Sequence, residues 1–340
     1  MLSDLDVARE AARAGSAVAL RHFAALADLP RETKPDGSVV TAADRETELA
    51  IRELLRRERP GDTVLGEEGG TVTGSPGPAQ PGGPFPSGAP LRPGGSFQAG
   101  GSAQVGGSAS PGGTASPGGT AQLGGTASPG GTAQPGGTAR PAGSLQPGGA
   151  VFGEGRRRWI VDPIDGTALF VSGDDRWLVL VALEEDGEIV AAAAAVPAQG
   201  TLWWARRGGG AYRSNLDGTA EKRVTVATGR PDMLEGAEVG VVPAPPNYFE
   251  SDRLIAAPLV EHATAVEWDV HAPLLVAEGK LDLAVQTRGQ IWDFAAPSLI
   301  VTEAGGAYGG ADGIRGPGPG TSLYARSPAL WKEAHRALWG

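Results

Sequence analysis

The chain has 340 residues, a formal net charge of −10 and no cysteine. An acidic chain without a clustered basic block is a poor partner for a nucleic acid polymer or an anionic membrane. The lack of cysteine removes disulfides, thiolate nucleophiles and Cys-ligated zinc at once, and it suits a reducing cytoplasm, which is the expected location.

The N-terminal stretch MLSDLDVAREAARAG is acidic and amphipathic, unlike a signal peptide. No apolar run approaches the roughly 20 residues of a membrane-spanning helix. His22, His262, His271 and His335 form no HxxxH or HxH pair, so a His-built zinc site or a Ser-His-Asp triad has little support.

In chain order, Ser3 opens a helix to about Leu26, with a small-residue face through Ala8, Ala12, Gly15 and Ala19. Thr41 is placed as the N-cap of a second helix, with Asp44 at its third position in capping-box style. The apolar stripe of that helix is Thr47, Ala50, Ile51, Leu54 and Leu55, and Pro60-Gly61 stops it. A short strand, TVLG (63–66), follows.

Residues 71–150 form a low-complexity Gly/Pro repeat whose only charges are Arg92 and Arg140. From Ala99 a six-residue unit recurs: AGGSAQ, VGGSAS, PGGTAS, PGGTAQ, LGGTAS, PGGTAQ, PGGTAR, PAGSLQ. Each unit offers almost no apolar area to offset the roughly 1–2 kcal/mol per residue of backbone ordering. A disordered insertion in a tolerant loop is expected, with a partner tether as the functional alternative.

Beyond it, WIVD (159–162), WLVLVALE (177–184), EIVAAAAAV (188–196) and TLWWA (201–205) read as strands, with hairpin turns at 186–187 and 199–200. AEVGVV (237–242), LDLAV (281–285) and SLYA (322–325) read as further strands, and 270–279, 293–304 and 328–339 as helices. Mixed helices and strands with hairpins point to layered sheets with helices between or around them, not to a purely parallel doubly wound sheet.

Acids gather at element ends: Glu67 and Glu68, Asp162 and Asp165, Asp293, and Asp44. Taken singly, Asp44 or Asp293 is accounted for by helix capping. Asp162-Pro-Ile-Asp165-Gly-Thr is not. Pro163 biases Asp162 towards an extended conformation, and a tight turn then aims both carboxylates and the Ile164 carbonyl at one point. Such oxygens suit a hard divalent cation, Mg²⁺ above all, whereas unneutralised acids would repel one another. Amides of Gly166 and Thr167, at an expected helix start, suit an anion such as phosphate.

At these residues the sequence resembles the inositol monophosphatase superfamily. KPDGSVVTAADRETE (34–48), GEE (66–68), WIVDPIDGT (159–167) and WDFAAPSLIVTEAGG (292–306) carry the likeness. The resemblance implies an α/β (α+β) chain with a layered, alternating helix/sheet sugar-phosphatase-type fold and mixed, largely antiparallel sheets. It implies a Mg²⁺-dependent phosphomonoesterase, often a homodimer, using two or three Mg²⁺ ions. On motif position, Glu67, Asp162, Asp165, Asp293 and the Ile164 carbonyl would be metal ligands. Thr167 and Asp44 would orient and activate the attacking water beside Glu67, and Glu68 would support a weaker third metal. Gly166, Thr167, Gln286 and Asp293 would contact substrate. The expected division is 1–70 plus 151–175 as a metal-binding α+β subdomain, 71–150 as the insertion, and 176–340 as an α/β subdomain supplying the last ligand.

The flanks RERPGDTVLGEEGG (57–70), EEDGEIVAAAAAVPAQGTLWWARRGGGAY (184–212) and WDVHAPLLVAEGKLDLAV (268–285) look most like the histidinol-phosphate phosphatase branch. Gln286 stands where the family often has an acid, and Ala168 where it often has Asn or Lys. A neutral Gln286 weakens the case for a cationic amino alcohol, and Arg288 nearby favours a more anionic ligand. On the likeness of the flanks histidinol phosphate still leads, with inositol 1-phosphate and a 3'(2'),5'-bisphosphate nucleotide as alternatives. A scaffold using the Gly/Pro repeat is the non-enzyme alternative.

Overall fold

The computed structural model describes residues 2–29, 31–33, 39–72, 157–313 and 316–340. The Gly/Pro repeat beyond Val72 and the KPDGS segment (34–38) lie outside the described residues.

Helix α1 (Asp4–Phe23) starts as its sequence dictates: Ser3 Oγ accepts the Asp6 amide at 3.2 Å. It ends three residues before Leu26, which instead opens a short 3₁₀ turn. Strands β1 (Arg31–Thr33) and β2 (Val39–Thr41) pair antiparallel and lead into α2 (Ala42–Glu58). The capping box forms: Thr41 Oγ1 accepts the Ala43 amide at 3.1 Å, and Asp44 Oδ2 accepts the Thr41 amide at 2.8 Å. The buried face of α2 holds Ala43, Thr47, Ile51 and Leu55, but also Asp44 and Glu48, while Ala50 and Leu54 are half-buried. Two carboxylates one turn apart thus point inward, which a purely apolar stripe would not require.

An eight-stranded sheet follows: β3 (Thr63–Gly66), β4 (Gly70–Val72), β5 (Arg158–Asp165), β6 (Leu178–Glu185), β7 (Glu188–Val196), β8 (Thr201–Arg206), β9 (Gly210–Asn215) and β10 (Lys222–Val224). Its order is β10-β9-β8-β7-β6-β5-β3-β4, and β3–β5 is its one parallel pairing. Residues 71 and 72, expected to open the insertion, instead belong to β4 and pair with Leu65 and Val64. Asp186 and Gly187, both at positive φ, make the tight β6–β7 turn. The expected subdomain edge at 175–176 falls inside this sheet, between the neighbouring strands β5 and β6.

The second sheet, order β12-β11-β13-β15-β14, contains β11 (Glu238–Val242), β12 (Thr264–Val266), β13 (Leu283–Gln286), β14 (Ala307–Gly310) and β15 (Ser322–Ala325). Its pairings are parallel around β11 and antiparallel elsewhere. Helices α3 (Thr167–Ser172), α4 (Glu250–Val260), α5 (Ala272–Ala277), α6 (Ile291–Glu303) and α7 (Pro328–Trp339) complete the described elements.

The layers run α1 and α2, first sheet, α5 and α6, second sheet, α4 and α7. Three apolar clusters fill the gaps. Strand β7 shows why the centre is thin. Ala191, Ala193 and Ala195 face α1, while Ala192 and Ala194 face α6. A strand buried on both faces reads as a continuous apolar run, and alanine lets the helices approach closely. Gly15 of α1 answers the same need. A Cβ there would stand 2.7 Å from Ile51 Cδ1 and 3.1 Å from Val179 Cγ1.

Candidate metal centre

The parallel pairing of β3 with β5 sets Gly66 beside Val161, so the residues after both strands emerge at the same edge. The Glu67 amide donates to the Val161 carbonyl at 3.3 Å, which brings the GEE turn next to Asp162. In β5 the expected turn at Pro163 is instead a bulge within a continuing strand: Asp162 pairs with Leu180 and Asp165 with Leu178, with a register shift between them. Proline has no N–H for the ladder, and a bulge is where a strand tolerates that loss. The bulge closes on itself, with the Ile164 amide donating to Asp162 Oδ1 at 3.1 Å. Gly166 then adopts φ of +85°, a left-handed conformation that glycine takes without strain, and Thr167 begins α3.

Asp293 arrives from the other side of the layer, at the third position of α6, where its Oδ2 accepts the Gln290 amide at 2.5 Å. Asp162, Asp165 and Asp293 each offer an oxygen within 4.8 Å of the others. Burial, then the charges of Glu67, Asp165 and Asp293, push the Asp162 carboxyl well above its ordinary range. Burial, then Asp293 and Glu67, do the same to Asp165. Asp165 Oδ2 is buried with no hydrogen-bond partner among the described residues. Converging, mutually repelling carboxylates with an orphaned oxygen fit a divalent cation, which would satisfy the oxygen and relieve the repulsion at once.

Thr167 links the sequence-expected water-activating pair to this centre. Its Oγ1 is 3.1 Å from Asp44 Oδ1 and 3.1 Å from the Ile164 carbonyl. The other Asp44 oxygen accepts from the Thr41 amide and hydroxyl at 2.8 and 2.7 Å. Burial raises the Asp44 carboxyl, and these hydrogen bonds pull in the opposite direction.

Glu48 went unnoticed in the sequence and has a clear task. Its Oε2 accepts the Glu68 amide at 2.8 Å and its Oε1 accepts the Gly69 amide at 2.8 Å, while Arg52 Nε donates to Oε1 at 2.7 Å. The carboxylate packs so tightly that a Cβ on Gly66 would fall 2.5 Å from its Cδ. Glu48 therefore clamps the turn that carries Glu67 and Glu68. Its i+4 spacing from Asp44 on one helix face was the available signal.

A cavity of about 390 Å³ opens over these groups. Glu67, Asp162, Ile164, Asp165, Gly166, Thr167 and Asp293 line one part of it, and Gln286, Arg288, Arg176 and His271 line the rest. Every residue expected at the site lines the cavity except Asp44, which reaches it through Thr167, and Glu68, which sits beside Glu67 in the clamped turn. Arg288 Nε donates to Asp252 Oδ1 at 3.0 Å, so its charge is partly spoken for. Arg176 is held against Asp174 by a fork of two bonds, at 2.8 and 2.6 Å. No isolated sequence signal pointed to Arg176 or His271; the fold alone brings them to the wall.

A sequence model of the inositol monophosphatase family matches residues 141–338. The histidinol-phosphatase of Mycobacterium tuberculosis is 30% identical over 311 residues, covering 88% of this chain and 85% of the relative. That of Streptomyces coelicolor is 29% identical over 328 residues, covering 94% and 91%. Among solved structures, the Thermotoga maritima IMPase superposes with a TM-score of 0.64 at 18% identity, covering 99% of this chain and 97% of that one, a likeness of fold.

Proposed function

Because the chain belongs to the inositol monophosphatase family, a metal-dependent family of phosphatases, we propose that it hydrolyses histidinol phosphate with Mg²⁺ at the centre formed by Glu67, Asp162, Asp165 and Asp293. The observation that carries the reading is the convergence of Asp162, Asp165 and Asp293 around the orphaned Asp165 Oδ2.

Glu67, Asp162, the Ile164 carbonyl, Asp165 and Asp293 would hold two Mg²⁺ ions, with Glu68 beside a weaker third. When bound, the ions supply positive charge and a water of lowered proton affinity. The rest falls to the chain. A phosphate monoester is a dianion near neutral pH, and the uncompensated carboxylates would exclude it. Gly166 and Thr167 line the cavity, and their amides would serve as donors for its oxygens. Thr167 Oγ1, held by Asp44, fixes the line of attack and relays a proton towards the carboxylate. Glu67, in the same cavity, would orient the attacking water while the proton passes to Asp44. Gln286, in the same cavity, meets the alcohol half of the ester.

Relatives named histidinol-phosphatase that align along most of this chain support histidinol phosphate as the substrate. Gln286 favours a second reading, inositol 1-phosphate, since its neutral amide suits a polyol as well as an amine. Inositol-1-monophosphatases of Mesorhizobium japonicum and Rhizobium meliloti are each 33% identical over about half of the chain. Phosphate release from histidinol phosphate, inositol 1-phosphate and adenosine 3',5'-bisphosphate, with Mg²⁺ and with chelator, tests both. The reading expects Mg²⁺-dependent turnover with the highest kcat/KM for histidinol phosphate. A higher value for inositol 1-phosphate would establish the second reading, and no metal-dependent release from any of them would end both.

A further inference from the structure

The segment before α5 brings to the cavity wall a histidine that no step above uses. His271 is 3% exposed, and neither of its ring nitrogens has a hydrogen-bond partner among the described residues. Its ring meets Trp268 edge-on, with centroids 6.0 Å apart, and Nε2 stands 3.6 Å from Asp165 Oδ2. That separation is too long for a hydrogen bond.

An imidazole ring offers two nitrogens to hydrogen-bond partners. A histidine that merely fills a core normally finds a partner for at least one of them. Two other histidines do so: His22 Nε2 lies 2.9 Å from Glu46 Oε2, and His335 Nε2 lies 3.0 Å from the Ala311 carbonyl. His271 is also no member of the carboxylate cluster, which closes within 4.8 Å without its nitrogens. Gln286 repeats the pattern on the same cavity. It is 3% exposed, and its Oε1 has no hydrogen-bond partner among the described residues. Two buried polar side chains with unmet hydrogen bonds thus line one cavity of about 390 Å³.

We propose that His271 is a specificity-determining residue that, together with Gln286, reads a hydroxyl or amino group on the alcohol half of the ester. The inference rests on the phosphatase reading and adds to it the residue that separates polar alcohols from apolar ones. A ligand N–H or O–H satisfies Gln286 Oε1, and a ligand hydroxyl or amine satisfies an imidazole nitrogen. An alcohol lacking such groups leaves all of them buried and unpaired.

The test compares the full chain with His271→Phe, which keeps a ring in the wall and removes both nitrogens. At saturating Mg²⁺, kcat/KM is measured for histidinol phosphate, inositol 1-phosphate and p-nitrophenyl phosphate. The expected result is that preference for the better polar ester over the aryl ester falls about tenfold to a hundredfold. A ratio unchanged within about twofold, whether or not overall activity drops, would overturn the proposal. Should His271→Phe not fold, His271→Ala is read by the same ratio. Absence of Mg²⁺-dependent release by the unsubstituted chain is a different result, and it would remove the phosphatase reading itself.

Discussion

Thr167 and Asp44 are 123 positions apart in the chain, yet Thr167 Oγ1 lies 3.1 Å from Asp44 Oδ1. The contact joins the first turn of α2 to the first turn of α3. Both oxygens of Asp44 are occupied, one by Thr41 and one by Thr167, so the carboxylate has a single orientation.

Removing either end of this contact should therefore act on turnover more than on binding. Thr167→Ala and Asp44→Asn are each expected to lower kcat about a hundredfold or more, with KM moving much less. Their effects in combination should be far from additive, because they form one unit. Steady-state kinetics of the two single variants and the double variant check this. Additive losses would mean that the two residues act separately.

Asp162 sits at the centre of the acidic cluster and is 1% exposed. Asp162→Asn should abolish metal-dependent turnover while raising the melting temperature of the metal-free protein, since it removes one of several mutually repelling charges. Thermal melts in chelator and activity assays with Mg²⁺ provide the two readings. A variant with full activity would contradict the ligand assignment.

The same repulsion gives a pH dependence whose sign can be worked out. Asp162 and Asp165 have folded-state values raised above the ordinary 3.8, so each favours the folded state at low pH and loses that contribution as pH rises through its folded value. The metal-free protein should accordingly become more stable as pH falls from the raised folded values towards the ordinary 3.8. Below 6.5, His271 opposes the trend. Its folded value is depressed to about 3, so the stability it contributes is lost as pH falls from 6.5 towards that value. Added Mg²⁺ should flatten the carboxylate part of this dependence. Melting curves at several pH values, with and without metal, test the slope, and equal slopes in both conditions would count against a shared cation.

Glu48 predicts a split between metal affinity and chemistry. Glu48→Gln places an amide N–H₂ against the Glu68 or Gly69 amide in place of an acceptor. The half-activating Mg²⁺ concentration should rise about tenfold, as it does when residues behind metal ligands are changed. kcat at saturating metal should fall by much less. A titration of activity against Mg²⁺ separates the two quantities, and an unchanged half-activation point would show that the turn holds its shape without Glu48.

Much of this was legible in advance because it is written locally. The Thr41 cap, the Asp186-Gly187 turn and the acid spacing of DPIDGT are each set by a few neighbouring residues. The bulge was not, because whether Pro163 ends a strand or interrupts one depends on Leu178 and Leu180 pairing with its neighbours. Strands such as β9 and β14, with Gly-rich or mixed sequences, owe their conformation to the strands beside them. Glu48 was passed over because an acid in an exposed-looking helix has no apolar signature; its burial follows only from the Gly66–Gly69 turn folding over it. His271 is visible as a cavity residue only after two distant layers meet.

Deletion of 74–148 should leave metal-dependent turnover largely intact. Val72 pairs with Val64 on one side of β3, and Arg158 pairs with Thr63 on its other side. The two roots are thus about 10 Å apart, two strand spacings, which a short linker can cross. They also lie at the start of β3, whereas Glu67 follows its end. Comparing kcat and the Mg²⁺ requirement of the shortened and full chains checks this, and a collapse of activity would make the repeat part of the catalytic apparatus.

Helix α2 has a double allegiance. Its inner face grips the Thr167 hydroxyl with one carboxylate and the Glu68–Gly69 amides with another, while Leu49 on its outer face is 65% exposed. A rod anchored to two parts of a reactive centre and open to solvent along its back transmits any tilt to both parts together. An antibody or small molecule seated on that outer surface would therefore have a mechanical route to inhibition without ever entering the cavity.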